Sequence, residues 1–246
     1  MNFKKILGAS GLILSIGMGF AKPSPRWASS IPFPQSPLME FDGVIFTGKT
    51  NLESRVFNKT VLSRGPLRAN GCTFTQLTVQ GPFEGTNVTA GQVVVQGTGY
   101  MVGGVITEAI TVQGQMAVRG MTIQGTVRFS GQAILDDVTV KDLLSGKGQL
   151  VAKNSTLRDV SIGGNVLASD TEFGNLEIGG VRHSFENCTL TDVTVMNREN
   201  QAASIYLRST TVKGKIIFEG GKGTIYTDQP SLLVGKVTGG TVKTKP

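Results

Sequence analysis

The sequence repeats one short apolar pattern at nearly regular intervals. The pattern is apolar-x-x-apolar-x-apolar, and six copies fit it: Phe74/Leu77/Val79, Val118/Met121/Ile123, Leu135/Val138/Val140, Leu157/Val160/Ile162, Phe173/Leu176/Ile178 and Leu190/Val193/Val195. Looser copies end at Val95, Val112 and Phe218. Most intervals between copies are 16 or 17 residues long. A nearly fixed period of this length indicates a repeat architecture.

The spacing inside one copy indicates which repeat it is. Side chains at i and i+2 of a strand share a face, so Val160 and Ile162 point the same way, whereas Leu157 has the opposite parity. The chain must therefore bend near Arg158 and Asp159, which places two short strands at a corner. The 33 glycines among 246 residues also favour many turns. We predict an all-β fold, a right-handed parallel β-helix of about 10 to 12 short coils.

Three intervals depart from the common period. The step from Val112 to Ile123 is too short for a coil, so we expect these two residues on different walls. The long steps to Ile162 and to Phe218 predict loops near residues 145–148 and 197–203.

The N-terminal residues predict export. Lys4 and Lys5 precede an apolar run, and small residues follow it at Gly19 and Ala21, which is the order of a secretory signal peptide over residues 1–21. Residues 22–40 hold five of the nine prolines and form a linker or N-terminal arm. Residues 41–246 form the solenoid domain. We expect a periplasmic, cell-surface or extracellular protein without a transmembrane span after cleavage.

The short coils resemble those of a known family. The stretch LTVQGPFEGTNVTAGQVVVQG, from Leu77 to Gly97, is similar to the coils of bactofilins, and the likeness extends over roughly residues 71 to 220. The resemblance implies a compact right-handed β-helix that associates with itself. A signal peptide departs from that family, which is chiefly cytoskeletal. No site residues are implied by it.

Acidic residues recur beside the second apolar position. Asp137, Asp159, Asn175 and Asp192 occupy it in four copies, and stacked coils would bring Asp137 and Asp159 to about 5 Å from each other. One interpretation is a Ca²⁺ site, because oxygen ligands suit this cation and its charge relieves the repulsion. The other is a hydrated corner where aspartate favours the turn. No other cofactor is expected.

The cysteines and the histidine are read as structural. Cys72 and Cys188 take the same place in the pattern but lie about 30 Å apart in a straight stack, too far for a bond within one chain. They are either small core residues or links between chains. His183, the only histidine, is expected on an exposed turn. The triplets beginning at Asn58, Asn87, Asn154 and Asn187 have the form of glycosylation sequons, and we interpret them as corners followed by strands.

These patterns favour a binding or structural role. We find no candidate catalytic residues and predict an exported, non-enzymatic scaffold or surface-binding solenoid that self-associates. Lysines dominate the end of the chain from Val212, which suits anionic cell-surface lipid or glycan and equally protects open strand edges. Few aromatic residues accompany them, so nucleic acid is not an expected partner. The alternatives are a carbohydrate-binding or carbohydrate-active β-helix and an adhesin-like secreted factor.

Overall fold

The computed structural model describes residues 42–196, 201–220, 222–228 and 231–244. Within these ranges all regular structure is β, in 21 strands: β1 Gly43–Thr47, β2 Thr50–Glu53, β3 Val56–Arg64, β4 Leu67–Asn70, β5 Thr73–Gln80, β6 Phe83–Gln96, β7 Gly99–Gln113, β8 Met116–Ile123, β9 Thr126–Lys153, β10 Thr156–Ile162, β11 Val166–Ser169, β12 Glu172–Ile178, β13 Arg182–Glu186, β14 Thr189–Val195, β15 Ala203–Arg208, β16 Thr211–Val212, β17 Ile216–Phe218, β18 Gly223–Thr227, β19 Leu232–Leu233, β20 Val237–Thr238 and β21 Thr241–Thr244. The described chain has no helix that could span a membrane. Residues 1–21 and 22–40, for which we predict a signal peptide and an arm, lie outside it.

The strands stack in parallel to form three walls. Each wall is a column in which every coil contributes one short strand, paired with its equivalent in the next coil. The inward residues of wall A are Val61, Leu77, Val93, Ile110, Val127, Leu144, Val160, Leu176, Val193 and Ile216. Those of wall B are Leu67, Phe83, Gly99, Met116, Ala133, Leu150, Val166, His183, Ile205 and Ile225. Those of wall C are Phe57, Phe74, Ala90, Ile106, Ile123, Val140, Leu157, Phe173, Leu190, Val212 and Leu233.

The predicted solenoid is confirmed, with about 11 turns. The chain passes through walls A, B and C in that order and rises by about 4.8 Å per coil. A coil takes 16 or 17 residues over most of the stack, as from Val61 to Leu77 and on to Val93. Val112 lies on wall A and Ile123 on wall C, as the short interval predicts.

The apolar pattern marks corners of the coil. Leu157 lies on wall C and Val160 and Ile162 on wall A; all three are buried, and the strand pairing shifts between Leu157 and Asp159. Four copies of the pattern lie at this C–A corner. The copies that contain Val118 and Leu135 lie instead at the B–C corner. The inward residues on the two sides of this corner have the same spacing in the sequence as those at the C–A corner. The six copies are therefore not one column.

One predicted loop is wrong. Residues 145–148 continue strand β9, and the long interval before Ile162 arises because Val140 lies on a different wall. The second insertion is present. His183 follows Ile178 by five residues, whereas its equivalent Ile205 follows Val195 by ten. The added residues fall between walls A and B, and residues 197–200 among them lie outside the described ranges.

Glycine occupies the A–B corner in nine coils: Gly48, Gly65, Gly81, Gly97, Gly114, Gly131, Gly148, Gly164 and Gly180. At Gly164 a Cβ atom would collide with the backbone carbonyl of Gly148 directly above it. The corner thus brings consecutive backbones closer than any side chain permits. This column ends at the coil that precedes the insertion.

Adjacent glycines in one coil test this close approach. We expect Gly164→Ala to lower the free energy of unfolding by about 1–3 kcal/mol, because the backbone of Gly148 cannot move without disturbing its own coil. A Cβ on Gly163 would lie 3.7 Å from the Gly146 carbonyl oxygen, an ordinary contact. Gly163→Ala should therefore change stability by less than about 0.5 kcal/mol. Urea unfolding followed by circular dichroism measures both, and equal losses would contradict the close-approach explanation.

Candidate functional surface

The B–C corner holds a column of residues in the left-handed conformation. Ten consecutive coils contribute one residue each, with φ between 48° and 68°: Ser54, Gly71, Asn87, Gly103, Gly120, Asp137, Asn154, Asp170, Asn187 and Ser209. Asparagine, aspartate and glycine tolerate this conformation best. Three of the sequon-like triplets begin at this position, so their asparagines are corner residues; Asn154 and Asn187 precede strands, and Asn87 lies within β6.

Carboxylates and amides alternate along part of this column. Asp137, Asn154, Asp170 and Asn187 belong to four successive coils, and the Asn187 side-chain amide donates to the Asp170 carboxylate at 3.3 Å. Each carboxylate thus has an amide neighbour, and the next carboxylate lies two coils away, about 10 Å by the strand spacing. Successive coils in this part of the corner therefore do not place two carboxylates side by side.

The metal candidates do not form the predicted column. Asp159, Asn175 and Asp192 are consecutive partners at the C–A corner, but Asp137 lies at the B–C corner, so its expected pairing with Asp159 is wrong. The Asn175 amide separates the two remaining carboxylates and donates to Asp159 at 2.8 Å. Asp192 accepts the backbone N–H of Lys215 at 2.9 Å. Over the described residues, no three His, Cys, Asp or Glu side chains lie together as metal ligands would.

Cys188 belongs to a ladder of hydroxyl groups that is buried in every coil except the one with Ser231. The ladder occupies the residue after the left-handed position and links the backbone N–H of one coil to the side chain of the next. Its members are Ser155, Thr171, Cys188, Thr210 and Ser231. The Cys188 thiol accepts from the Thr171 N–H and donates to the Glu186 carbonyl, and burial raises the pKa of this thiol. The Cys188 thiol therefore makes the hydrogen bonds that a serine or threonine hydroxyl makes in the neighbouring coils.

Cys72 occupies the equivalent corner several coils away. Its thiol donates to the Asn70 carbonyl at 3.4 Å, and both cysteines are buried and unbonded. The structure therefore agrees with the interpretation of both cysteines as small core residues. It also agrees with the prediction that Cys72 and Cys188 form no disulfide with each other within one chain.

His183 is fully buried on wall B, so the exposed turn predicted for it is wrong. The backbone N–H of Val166 donates to Nδ1 at 3.3 Å, and Nε2 donates to the Gly180 carbonyl at 3.0 Å. These two bonds fit the neutral ring. Burial lowers the pKa of His183 from 6.5 to about 4, opposed by the bond to Gly180.

This shift predicts an acid-sensitive stability. Between the ordinary pKa of 6.5 and the folded value of about 4, only the unfolded chain takes up the proton. The contribution of neutral His183 is therefore complete above pH 6.5 and falls by about 3 kcal/mol as the pH drops to 4. Urea unfolding across this range should show the loss, and His183→Leu should remove it whatever its effect at pH 7. An unchanged pH slope in that variant would contradict the assignment.

Lysines gather at the C–A corner of the last coils. Lys215 and Lys236 follow Asp192 in the corner column, since the adjacent Ile216 and Val237 are strand partners. Lys213 precedes the same corner. The three side chains are exposed and take part in none of the ion pairs that described residues form. One end of the described solenoid therefore presents positive charge at one corner.

An aromatic and cationic column lies on the outer face of wall B. The rings of Tyr206 and Tyr226 stack at 4.9 Å, with the Arg182 guanidinium 5.0 Å from the first ring and the Lys243 ammonium 6.0 Å from the second. Arg182 and the two rings border a cleft of about 600 Å³ that Glu186 and Asp228 also line. Sequence analysis missed this column. The repeated dipeptides Ile205-Tyr206 and Ile225-Tyr226, one coil apart, would have indicated it.

Comparisons of the chain with known protein families, with curated proteins and with solved structures find no match.

Proposed function

We propose that this protein is an exported, non-enzymatic solenoid that binds an anionic cell surface. The signal-peptide pattern of residues 1–21 supports export, to the periplasm, the cell surface or the medium. The resemblance of the coils to bactofilins supports a scaffold role. The observation that carries the binding proposal is the lysine corner, defined as Lys213, Lys215 and Lys236.

The corner geometry explains why these lysines would act together. Backbones of successive coils are about 4.8 Å apart, so the fold holds three positive charges within one short edge. Each lysine near an anionic lipid surface contributes about 1 kcal/mol, and salt screens this attraction. Further along the same corner column, Asp159 and Asp192 carry negative charge. Contact is therefore expected through the last coils.

Vesicle binding tests this proposal. We expect the protein to sediment with phosphatidylserine-containing vesicles and less with neutral ones. Replacing all three lysines of the corner by glutamine should weaken binding about 100-fold at low salt. The control variant has Lys49, Lys59 and Lys147 replaced by glutamine, which removes the same net charge from other coils. This control variant should bind the vesicles nearly as well as the wild type. Equal weakening of both variants would show that only net charge matters, and no vesicle binding would reject a lipid surface.

Carbohydrate binding is a second candidate, favoured by the column of Arg182, Tyr206, Tyr226 and Lys243. Arg182 and the two rings border the cleft on wall B, and an acidic polysaccharide could place carboxylates against the guanidinium. Soluble polygalacturonate is the matching probe. Binding that survives loss of the lysine corner but not Arg182→Ala would favour this candidate.

A further inference from the structure

The outer face of wall B carries an apolar stripe across five successive coils. It consists of Tyr100, Ala117, Ile134, Val151 and Leu167. Tyr100, Ile134 and Leu167 are 47%, 42% and 39% exposed. Contiguous exposed apolar groups rimmed by polar ones usually mark an interaction surface.

Different polar groups line the two sides of this stripe. Amides follow one side, at Gln115, Gln132, Gln149 and Asn165, and Gln132 donates to Gln149 at 3.4 Å. The other side carries Arg119, Asp136, Lys153 and Ser169. Arg119 pairs with Asp136 at 3.4 Å within the chain, whereas Lys153 takes part in no ion pair with another described residue. This order of charges restricts how a partner can lie on the face.

We propose that wall B pairs two copies of this chain side by side and antiparallel. The two-fold axis lies in the interface and runs parallel to the strands, midway between the two segments of β9 that carry Ile134 and Val151. Ile134 then faces Val151 of the second copy, and Asp136 faces Lys153. On the other rim Gln132 faces Gln149, so two amides can bond across the interface.

The charges select this register. If the axis ran along the segment that carries Ile134, Asp136 would face Asp136 of the second copy, and Arg119 would face its Lys153. An axis through the strand of Val151 places Lys153 against its own copy. An axis between the strands of Ala117 and Ile134 pairs Arg119 with Asp136 but buries Glu84 against Leu167. Of these four axes, only the proposed one both pairs Asp136 with Lys153 twice and keeps Ala117, Ile134, Val151 and Leu167 on apolar neighbours.

Side-chain size favours the antiparallel arrangement over the parallel one. In the proposed register Ala117 faces Leu167 and Tyr100 faces Ser184, so in these two pairs a larger side chain meets a smaller one. A parallel pair would place Ala117 against Ala117 and Tyr100 against Tyr100. The two small alanines would leave a gap, and the two large tyrosines beside them would hold the faces apart. Close packing of two sheets needs the complementary arrangement.

The size of the face sets the expected affinity. Five strands at about 4.8 Å and four residues of about 3.3 Å give a face of about 24 by 13 Å. This area of about 310 Å² is well below the roughly 800 Å² that each partner buries in a standard interface, so we expect a weak dimer that forms only at high protein concentration. The proposal depends on the fold and not on what the lysine corner binds.

Charge reversal tests the pairing in solution. Sedimentation equilibrium of the full chain should show a monomer–dimer equilibrium. Asp136→Lys and Lys153→Asp should each weaken the dimer about tenfold or more, because each creates two like-charge contacts. The double variant Asp136→Lys/Lys153→Asp should return to within about threefold of the wild type. Glu177→Lys, a matched reversal on wall A, should leave the Kd unchanged.

Cysteine cross-linking tests the register. In a background with Cys72→Ser and Cys188→Ser, a short bismaleimide should join a mixture of the Tyr100→Cys and Ser184→Cys variants. Neither variant alone should cross-link, because the antiparallel register separates each of these positions from its own copy by five coils, about 24 Å. Efficient cross-linking of Tyr100→Cys with itself would overturn the antiparallel register. A strictly monomeric protein at millimolar concentration, or a double charge variant as weak as the single ones, would overturn the proposal.

Discussion

The parallel hydrogen bonds between successive coils are the constraint on which the rest of the structure depends. They hold each residue directly against its equivalent one coil away, so the chemistry of a position is repeated or complemented at about 4.8 Å. An interior position is then apolar in nearly every coil, and carboxylates at the corners have a neutral or opposite neighbour, whereas Lys215 and Lys236 follow each other directly. The interior columns of walls A, B and C show the first of these patterns almost throughout.

The three corners meet this constraint with three different chemistries. The A–B corner brings backbones too close for side chains, hence its glycines. The B–C corner uses left-handed residues and, beneath them, hydroxyl groups that accept the N–H of the preceding coil. The C–A corner tolerates charge, and there an amide separates Asp159 from Asp192 before lysines follow. The corner and outward-facing residues of each coil therefore determine the surface chemistry of this protein.

The spacing of apolar residues was sufficient to predict the solenoid, its coil length and the corner at Asp159. It could not assign Asp137, because the B–C and C–A corners have the same apolar spacing and parity alone does not distinguish them. His183 was misplaced because its burial depends on backbone groups of Val166 and Gly180, which only the folded coil brings to the ring. The stripe through Ile134 does not stand out in the sequence, because its residues are 16 or 17 positions apart and only the stacking of coils makes them neighbours.

The distance between two outward residues of one column tests the stacked fold most directly. Thr73 and Glu172 lie on the outer face of wall C six coils apart, although 99 residues separate them in the chain. Spin labels at these two positions, with Cys72 and Cys188 replaced by serine and the sample diluted with unlabelled protein, should give one narrow distance distribution near 29 Å. A broad distribution, or a maximum below about 20 Å, would contradict the solenoid.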